Sequence, residues 1–361
     1  YQAGYSHTIN YYGIYIGTNA GKYIANDQNT VVGDLAMSGG DTTAANNSVS
    51  SVVAVGYKAY GGATGAGDDI DGHTAVAVGT NALSKITSGN YNVAIGASAL
   101  SVHTTGDSNI AIGASAMNDN DQSAATLSSH NNIFIGKDSG GGTWTTAASN
   151  HNVAIGHLSM DAALNGALNN TALGNYSLSA LTTGDSNVAL GYSAGGSLTT
   201  GASNILIGRS AGGAGTDLAS AVIIGMYAGD AINTNNSQGS ILIGYQAGTT
   251  QTAGVNTFIG YDSGRYNVTG TYNTAVGYQA GTGASGQSYN YATVVGYNAG
   301  YSLTTTGVTA FGYQAAYTST TGGGTHIGYR AGYSQTSGNS NTSVGDNALY
   351  SNQTNVYNVA I

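Results

Sequence analysis

The sequence predicts an all-β protein, a repetitive parallel β-solenoid (β-roll) of about twenty turns. Three observations support this: a five-residue core that recurs along the whole chain, a composition poor in helix formers and rich in turn formers, and a position after the core that holds only Ala or Ser. Self-similarity at a short, nearly fixed period is typical of solenoids, in which every repeat packs on its neighbours.

The composition opposes helix and favours turns. The 361 residues include 58 Gly and no Pro or Cys, only 6% are charged, and every one of the sixteen acidic residues is Asp. Glu is a good helix former, whereas Asp, Asn, Gly and Ser favour turns. We therefore expect helix to be nearly absent.

The recurring core has the form Asn, β-branched, small, apolar, Gly, and is clearest at residues 92–96 and 109–113. We call its last residue the register glycine and count positions within a turn from it. It recurs nineteen times between residues 17 and 345, at spacings of 16 to 23 residues with a mean of about 18. The register glycines are Gly17, Gly33, Gly56, Gly79, Gly96, Gly113, Gly136, Gly156, Gly174, Gly191, Gly208, Gly225, Gly244, Gly260, Gly277, Gly296, Gly312, Gly328 and Gly345.

The residues before the register glycine read as a strand. Position −1 is always Ile, Val, Leu or Phe, and position −3 is always Val, Ile or Thr. Residues two apart share a strand face, so we expect these two to point inward and the usual Ala at −2 to point to the opposite face. Burial of that Ala-rich face between chains favours a parallel homotrimer. Asn at position −4 in most turns predicts a ladder of side-chain hydrogen bonds.

The residues after the register glycine read as a tight corner. Position +3 is Ala in fifteen turns and Ser in four, and a second Gly often follows it. Small residues suit a chain that reverses closely against its neighbours. Each turn is therefore predicted to contain a strand, a tight corner, a short second strand and a variable polar loop. We expect residues 1–361 to form a single continuous β-roll array, a fragment of a longer fibre chain.

Composition also excludes several functions. A chain without Cys has no thiol nucleophile, thiolate metal site or disulfide. A formal net charge of −9 opposes binding to nucleic acid or an anionic membrane. No apolar stretch approaches the roughly 18 residues of a membrane helix, so we expect no membrane insertion in this segment. No motif calls for a cofactor, and we expect none.

Two groups of residues are candidate binding sites. Position +1 is Tyr in six consecutive turns, where stacking would give a row of aromatic faces for a glycan or receptor, or a purely structural ladder. These residues are Tyr245, Tyr261, Tyr278, Tyr297, Tyr313 and Tyr329. A weaker candidate is the loop with Asp68, Asp69 and Asp71, whose oxygens could hold a calcium ion.

Residues 151–159, His-Asn-Val-Ala-Ile-Gly-His-Leu-Ser, resemble the head repeat of the YadA-type trimeric autotransporter adhesins, Asn-Ser-Val-Ala-Ile-Gly-x-x-Ser. Similar repeats occur in bacteriophage tail fibres. The resemblance extends over all nineteen turns, although the Asn here usually lies one place later. It implies a left-handed parallel β-roll, a trimer, and a role in attachment at the surface of a cell or virion.

The leading interpretation is a non-catalytic structural and adhesive segment of an extracellular or virion-surface fibre, which binds a host-surface glycan or protein receptor through its loops and the tyrosines. One alternative is a glycan-degrading tailspike, which would need two carboxylates brought together across turns. The other is an ice-binding solenoid, because position −3 is Thr in six consecutive turns. Most earlier turns carry Val or Ile there, which favours an interior position. The six residues are Thr257, Thr274, Thr293, Thr309, Thr325 and Thr342.

Overall fold

The computed structural model describes residues 3, 12–22, 24, 28–38, 49–61, 73–118, 128–144, 147–233, 237–320, 322–336, 338–351 and 353–361. None of these residues is in an α-helix. The chain divides into two compact units, Tyr1–Ser186 and Asn187–Ile361. Each unit is a parallel β-solenoid, so the predicted fold class is confirmed for both.

Unit 1 contains strands of three residues, one before each register glycine. They are β1 (Ile14–Ile16), β2 (Thr30–Val32), β3 (Val53–Val55), β4 (Val76–Val78), β5 (Val93–Ile95), β6 (Ile110–Ile112), β7 (Ile133–Ile135), β8 (Val153–Ile155) and β9 (Thr171–Leu173). Each strand from β1 to β8 pairs in parallel with the strand of the next turn, so that equivalent repeat positions lie side by side, as Val93 beside Ile110 and Ile95 beside Ile112.

Unit 2 has the same arrangement within itself, with strands of two to four residues. They are β10 (Val188–Leu190), β11 (Ile205–Ile207), β12 (Val222–Ile224), β13 (Ile241–Ile243), β14 (Asn256–Ile259), β15 (Asn273–Val276), β16 (Thr293–Val295), β17 (Thr309–Phe311), β18 (Thr318–Ser319), β19 (Thr325–Ile327), β20 (Ser334–Gln335), β21 (Thr342–Val344) and β22 (Val359–Ala360). Thr274 lies beside Thr293, and Thr293 beside Thr309.

The predicted second strand forms only once among the described residues, where β18 pairs in parallel with β20. In the other described turns the residues after the register glycine form turns. The backbone at positions +2 and +4 is left-handed in turns without the second strand, as at Ser98 (φ 60°) and Leu100 (φ 50°), and also in the turn of β18, at Gln314 (φ 51°) and Ala316 (φ 49°). Left-handed residues at alternate positions coil the chain, so these positions form a corner and an extended second strand can begin only after them.

The strand faces are the reverse of the prediction. The residue at −2 is the buried one, and those at −3 and −1 lie on the outside, as in β5, where Ala94 is fully buried and Ile95 is 38% exposed. The interior is too narrow to hold two branched side chains per turn, so it takes the single, usually small, residue. The expected association along an Ala-rich face is therefore wrong, because that face is the core.

The interior is filled by a pair of complementary positions, −2 and +4. Where the strand centre of unit 1 is Ala, position +4 is large, as with Ala94 and Leu100. The Ala strand centres of unit 2 depart from this relation and have Gly or Ala at +4. Where the strand centre is large, position +4 is Gly, and a Cβ there would lie 2.5 Å from the ring of Phe134 at Gly140 and 3.0 Å from Leu206 at Gly212. In the turns that follow this relation, one large side chain from −2 or +4 fills the core to the density that protein interiors require.

The register glycine is required by its neighbour in the next turn. At Gly96 φ is +135°, and a Cβ would lie 2.4 Å from the carbonyl oxygen of Gly113. A side chain is excluded both by this backbone conformation and by the close approach of the adjacent turn. The recurrence of Gly at this position follows from stacking itself.

The predicted asparagine ladder is confirmed. Asn132 Nδ2 donates hydrogen bonds to Asn109 Oδ1 (3.1 Å) in the preceding turn and to the Ser149 carbonyl (2.8 Å), and Asn132 Oδ1 accepts from the backbone N–H of Asn152 (2.9 Å). These side chains are buried, and the ladder satisfies backbone groups that the short strands leave unpaired.

Candidate functional site

The tyrosines predicted at position +1 form a continuous stack in unit 2. Adjacent ring centroids from Tyr245 to Tyr329 are 5.0 to 5.3 Å apart, and adjacent ring planes differ by at most 17°. The spacing follows from the parallel register of the strands, which places equivalent residues of successive turns one strand apart. The predicted ladder therefore exists.

The ring faces in this ladder are turned towards one another. Tyr261 and Tyr278, like the members that follow, are 40 to 46% exposed, and what remains open to solvent is the ring edge with its hydroxyl. The prediction of a row of aromatic faces for sugar rings is thus not supported by this geometry. A ligand along this column would meet hydroxyl groups and ring edges.

A second tyrosine column was missed by the sequence analysis. Tyr301, Tyr317, Tyr333 and Tyr350 occupy position +5 in successive turns, and their ring centroids are 4.9 to 5.0 Å apart with planes within 9°. The sequence does contain a pattern that could have predicted this column: three consecutive turns each have two tyrosines four residues apart, such as Tyr297 and Tyr301. The two columns run along the same turns.

Polar residues at position +2 lie between the two columns. The guanidinium of Arg330 is 5.1 Å from the ring centroid of Tyr329 in the first column and 5.7 Å from that of Tyr333 in the second. Its Nε donates a hydrogen bond to Gln314 Oε1 at 2.9 Å. We call this surface the double tyrosine strip, which consists of Tyr297, Tyr313 and Tyr329, of Tyr301, Tyr317 and Tyr333, and of Asn298, Gln314 and Arg330 between them.

The strip has one unsatisfied polar group. Asn298 is 8% exposed, and its Oδ1 has no hydrogen-bond partner within the part of the chain that the structure describes. Burial, together with the nearby Tyr301, Tyr333 and Tyr297, raises the pKa of Tyr317, so its hydroxyl stays protonated. In an earlier turn, Asp262 at position +2 forms an ion pair with Arg265 at 3.3 Å.

The outer sheet face is the second candidate surface. Positions −3 and −1 carry no charged residue in any of the nineteen turns. In unit 1 this face includes a cavity of about 260 Å³ lined by Val53, Val76, Val93 and Tyr91. In unit 2 the row of six threonines lies on the same outward face, and within the described residues none of their hydroxyls makes a hydrogen bond. The expectation that this row is interior is wrong.

The metal and carboxylate candidates give no assembled centre. Asp68, Asp69 and Asp71 lie outside the described residues, and the described part of the chain has no group of three His, Cys, Asp or Glu that could hold a metal ion. Asp161 and Asp138 come near one another across adjacent turns, and burial followed by repulsion from Asp138 raises the pKa of Asp161. This is the kind of cross-turn pair that the tailspike alternative would need.

A buried histidine lies in the core of unit 2. His326 occupies a strand centre, with its Nδ1 2.8 Å from Ser343 Oγ, and burial lowers its pKa to about 4. Its ring fits because two glycines adjoin it: a Cβ at Gly324 or Gly332 would lie 2.6 or 2.2 Å from the imidazole. It is a packing residue and is remote from solvent.

Comparisons with known proteins add no family assignment: no protein-family model matches the chain, and no curated protein matches it significantly. No helix among the described residues is long and apolar enough to cross a membrane. The functional argument therefore depends on the two surfaces themselves.

Proposed function

We propose that the protein is a non-catalytic structural and adhesive segment of an extracellular or virion-surface fibre, assembled as a parallel homotrimer. The observation that carries this proposal is the uncharged outer sheet face. In unit 1 it exposes branched side chains such as Val53 (37%), Ile95 (38%) and Ile155 (36%), and in unit 2 Ile205 (41%). Extended apolar surface of this kind is typical of an interaction face.

A second copy of the same chain is the partner that fits this face best. Its side chains repeat once per turn, at the strand spacing of about 4.8 Å. A parallel copy has the same repeat, so that contacts made in one turn recur in the next, whereas a globular partner would match only locally. Symmetric self-association is also the commonest form of oligomer. The cavity at Val76 and Val93 offers space for a side chain of the partner.

Attachment is assigned to the variable loops and the tyrosine columns. Positions +1 and +5 lie after the strand, so they leave the outer sheet face free for assembly. The tyrosines are regularly spaced, and those of the first column from Tyr261 to Tyr329 are 40 to 46% exposed, which is the character of a contact surface for a host glycan or protein receptor.

Measurement of the mass in solution tests the assembly. We expect a trimer by native mass spectrometry and threefold symmetry in cryo-EM images processed without imposed symmetry. Val76→Lys combined with Val93→Lys should yield monomers, because two unpaired charges per chain would be buried at the interface. Ala97→Lys combined with Ala114→Lys is the matched control, since position +1 already holds Lys137 in another turn. A wild-type monomer, or a double-lysine outer-face variant with unchanged mass, would refute the proposal.

A second candidate function, ice binding, is favoured by the outward threonine row of unit 2. Six hydroxyls, none of which has a hydrogen-bond partner among the residues that the structure describes, lie beside a row of mostly aliphatic residues at position −1, with Thr293 and Thr309 exposed. Burial of such hydroxyls in a dry interface would cost about 1 to 3 kcal/mol for each one left unpaired. Thermal hysteresis in the wild type that is lost in Thr293→Tyr with Thr309→Tyr would establish this function, and its absence in the wild type would remove it.

A further inference from the structure

The double tyrosine strip presents hydrogen-bonding groups in a regular array. Its rings stack on one another along each column, so the phenol hydroxyls form the outer edge of both columns. Hydroxyls of successive turns are one strand apart, which by the parallel register is about 4.8 Å. A ligand that fits this array is linear and repeats its own polar groups over a similar distance.

The strip contains one acceptor that a ligand could satisfy. The Oδ1 of Asn298 is buried and unpaired, whereas the equivalent amide oxygen of Gln314 already accepts from Arg330. A buried oxygen without a donor costs about 1 to 3 kcal/mol. The rings beside it are partly exposed, and exposed side chains change rotamer within nanoseconds, so a donor can reach the oxygen when a ring turns aside.

The charges of the strip select a neutral ligand. It contains no carboxylate to pair with a cation, and its single cation, Arg330, is held between tyrosine rings and by Gln314. The chain as a whole carries a formal net charge of −9, which repels polyanions. The ligand class with many hydroxyl donors, no charge and a short linear repeat is a neutral polysaccharide.

We propose that the double tyrosine strip binds a neutral linear polysaccharide, which lies along the two columns and donates a hydroxyl hydrogen bond to Asn298 Oδ1. Binding then depends on ring edges and hydroxyls and not on stacking of sugars against ring faces. The inference rests on the attachment role proposed above and identifies the ligand class and the residues that hold it.

Affinity electrophoresis through gels that contain dextran, glucomannan or mixed-linkage β-glucan tests this, with alginate as the anionic comparison. The informative variants are Asn298→Gly and Tyr317→Phe; Asn347→Gly is the matched control. Asn298 and Asn347 both occupy position +2 with left-handed φ of 53° and 54°, so glycine fits equally at either. Tyr317→Phe keeps the ring stack and removes one hydroxyl.

We expect at least one neutral polysaccharide to retard the wild type, and alginate not to. Asn298→Gly should weaken retardation about tenfold, the equivalent of one hydrogen bond of about 1.4 kcal/mol, and Tyr317→Phe should weaken it severalfold. Asn347→Gly should bind as the wild type does. No retardation by any of the three neutral polysaccharides, or equal binding by Asn298→Gly, would overturn the inference.

The mass of each sample, measured in parallel, separates this inference from the assembly proposal. Loss of polysaccharide binding with an intact trimer would refute the ligand assignment alone. A monomeric wild type that still binds polysaccharide through Asn298 would refute the trimer and leave the strip as a binding site.

Discussion

Unit 1 fills its interior mainly from position +4, with Met37, Leu83 and Leu100, whereas unit 2 fills it mainly from the strand centre, with Leu206, Leu242 and Phe258. The outside differs as well. In unit 1 seven of the nine residues at −3 are Val or Ile, and in unit 2 the last six turns with a register glycine all have Thr there, in the part that also carries the tyrosine columns at +1 and +5. The same backbone thus accommodates two ways of filling its core and two kinds of outer surface. The coil must therefore be specified by the positions that both units share, the register glycine and the small residue at +3.

The largest effect is expected at a shared position. Gly96→Ala in unit 1 and Gly277→Ala in unit 2 should each destabilise the chain by about 4 kcal/mol or more, because φ is +135° at both and a Cβ would lie 2.4 or 2.5 Å from a carbonyl oxygen of the next turn. Urea denaturation measures both. Similar losses in the two units would support a common backbone, and a tolerated Gly277→Ala would show that unit 2 can relax where unit 1 cannot.

The next largest effect is expected when the large core residue of a unit 2 turn is moved from position −2 to position +4. Leu206→Ala should cost about 3 kcal/mol through the cavity that it leaves, and Gly212→Leu should also destabilise, because Leu206 occupies that space. The double variant recreates the unit 1 pattern, so its cost should be well below the sum of the single costs. Strict additivity in the double-mutant cycle would contradict the complementary filling of positions −2 and +4.

Acid should weaken unit 2 through His326. Its folded pKa of about 4 lies below its ordinary value of about 6.5, so the unfolded chain binds the proton more readily. The stability that the neutral His326 contributes is fully present above about pH 6.5. About 3 kcal/mol of the free energy of unfolding is lost as the pH falls to about 4. His326→Ala should remove this part of the pH dependence, with His157→Ala in unit 1 as the control; equal pH profiles for wild type and His326→Ala would exclude it.

The smallest effect is expected from introducing stacked tyrosines at position +1 of unit 1. Ala97 and Ala114 of unit 1 occupy position +1 in adjacent turns, where unit 2 has Tyr. Each substitution by Tyr alone should be nearly neutral, and the pair should gain about 0.5 to 1 kcal/mol from stacking. A coupling energy of zero in thermal unfolding would mean that the column in unit 2 depends on more than the register of the turns.

Periodicity was enough to predict what stacking imposes. The register glycines, the buried Ala or Ser at +3, the asparagine ladder and the first tyrosine column all follow from placing equivalent residues one strand apart. Periodicity could not predict which face of the strand is buried, because alternation with a period of two defines two faces and does not show which of them points inward. The missing signal was the volume relation between −2 and +4, visible in Phe134 with Gly140 and in Ala94 with Leu100.

The double tyrosine strip was only half predictable for a similar reason. Recurrence of Tyr at +5 can be read from the sequence, but its approach to the first column depends on the left-handed residues at +2 and +4, which fold the corner back. The unpaired oxygen of Asn298 depends on which neighbours reach it, and residue type alone does not specify that.

Most hydrogen bonds in both units run between a turn and the turn next to it, as from Asn132 to Asn109, and the others close the corner within one turn, as from Ala99 N to the Gly96 carbonyl (3.3 Å). Closing each turn therefore costs the entropy of one short loop, and doubling the length of such a loop adds only about 0.6 kcal/mol. Turns of 16 and 23 residues can alternate at almost no thermodynamic cost. New loop sequences can thus be inserted at one turn while the neighbouring turns keep their register, which leaves the loops free to diversify on a constant scaffold.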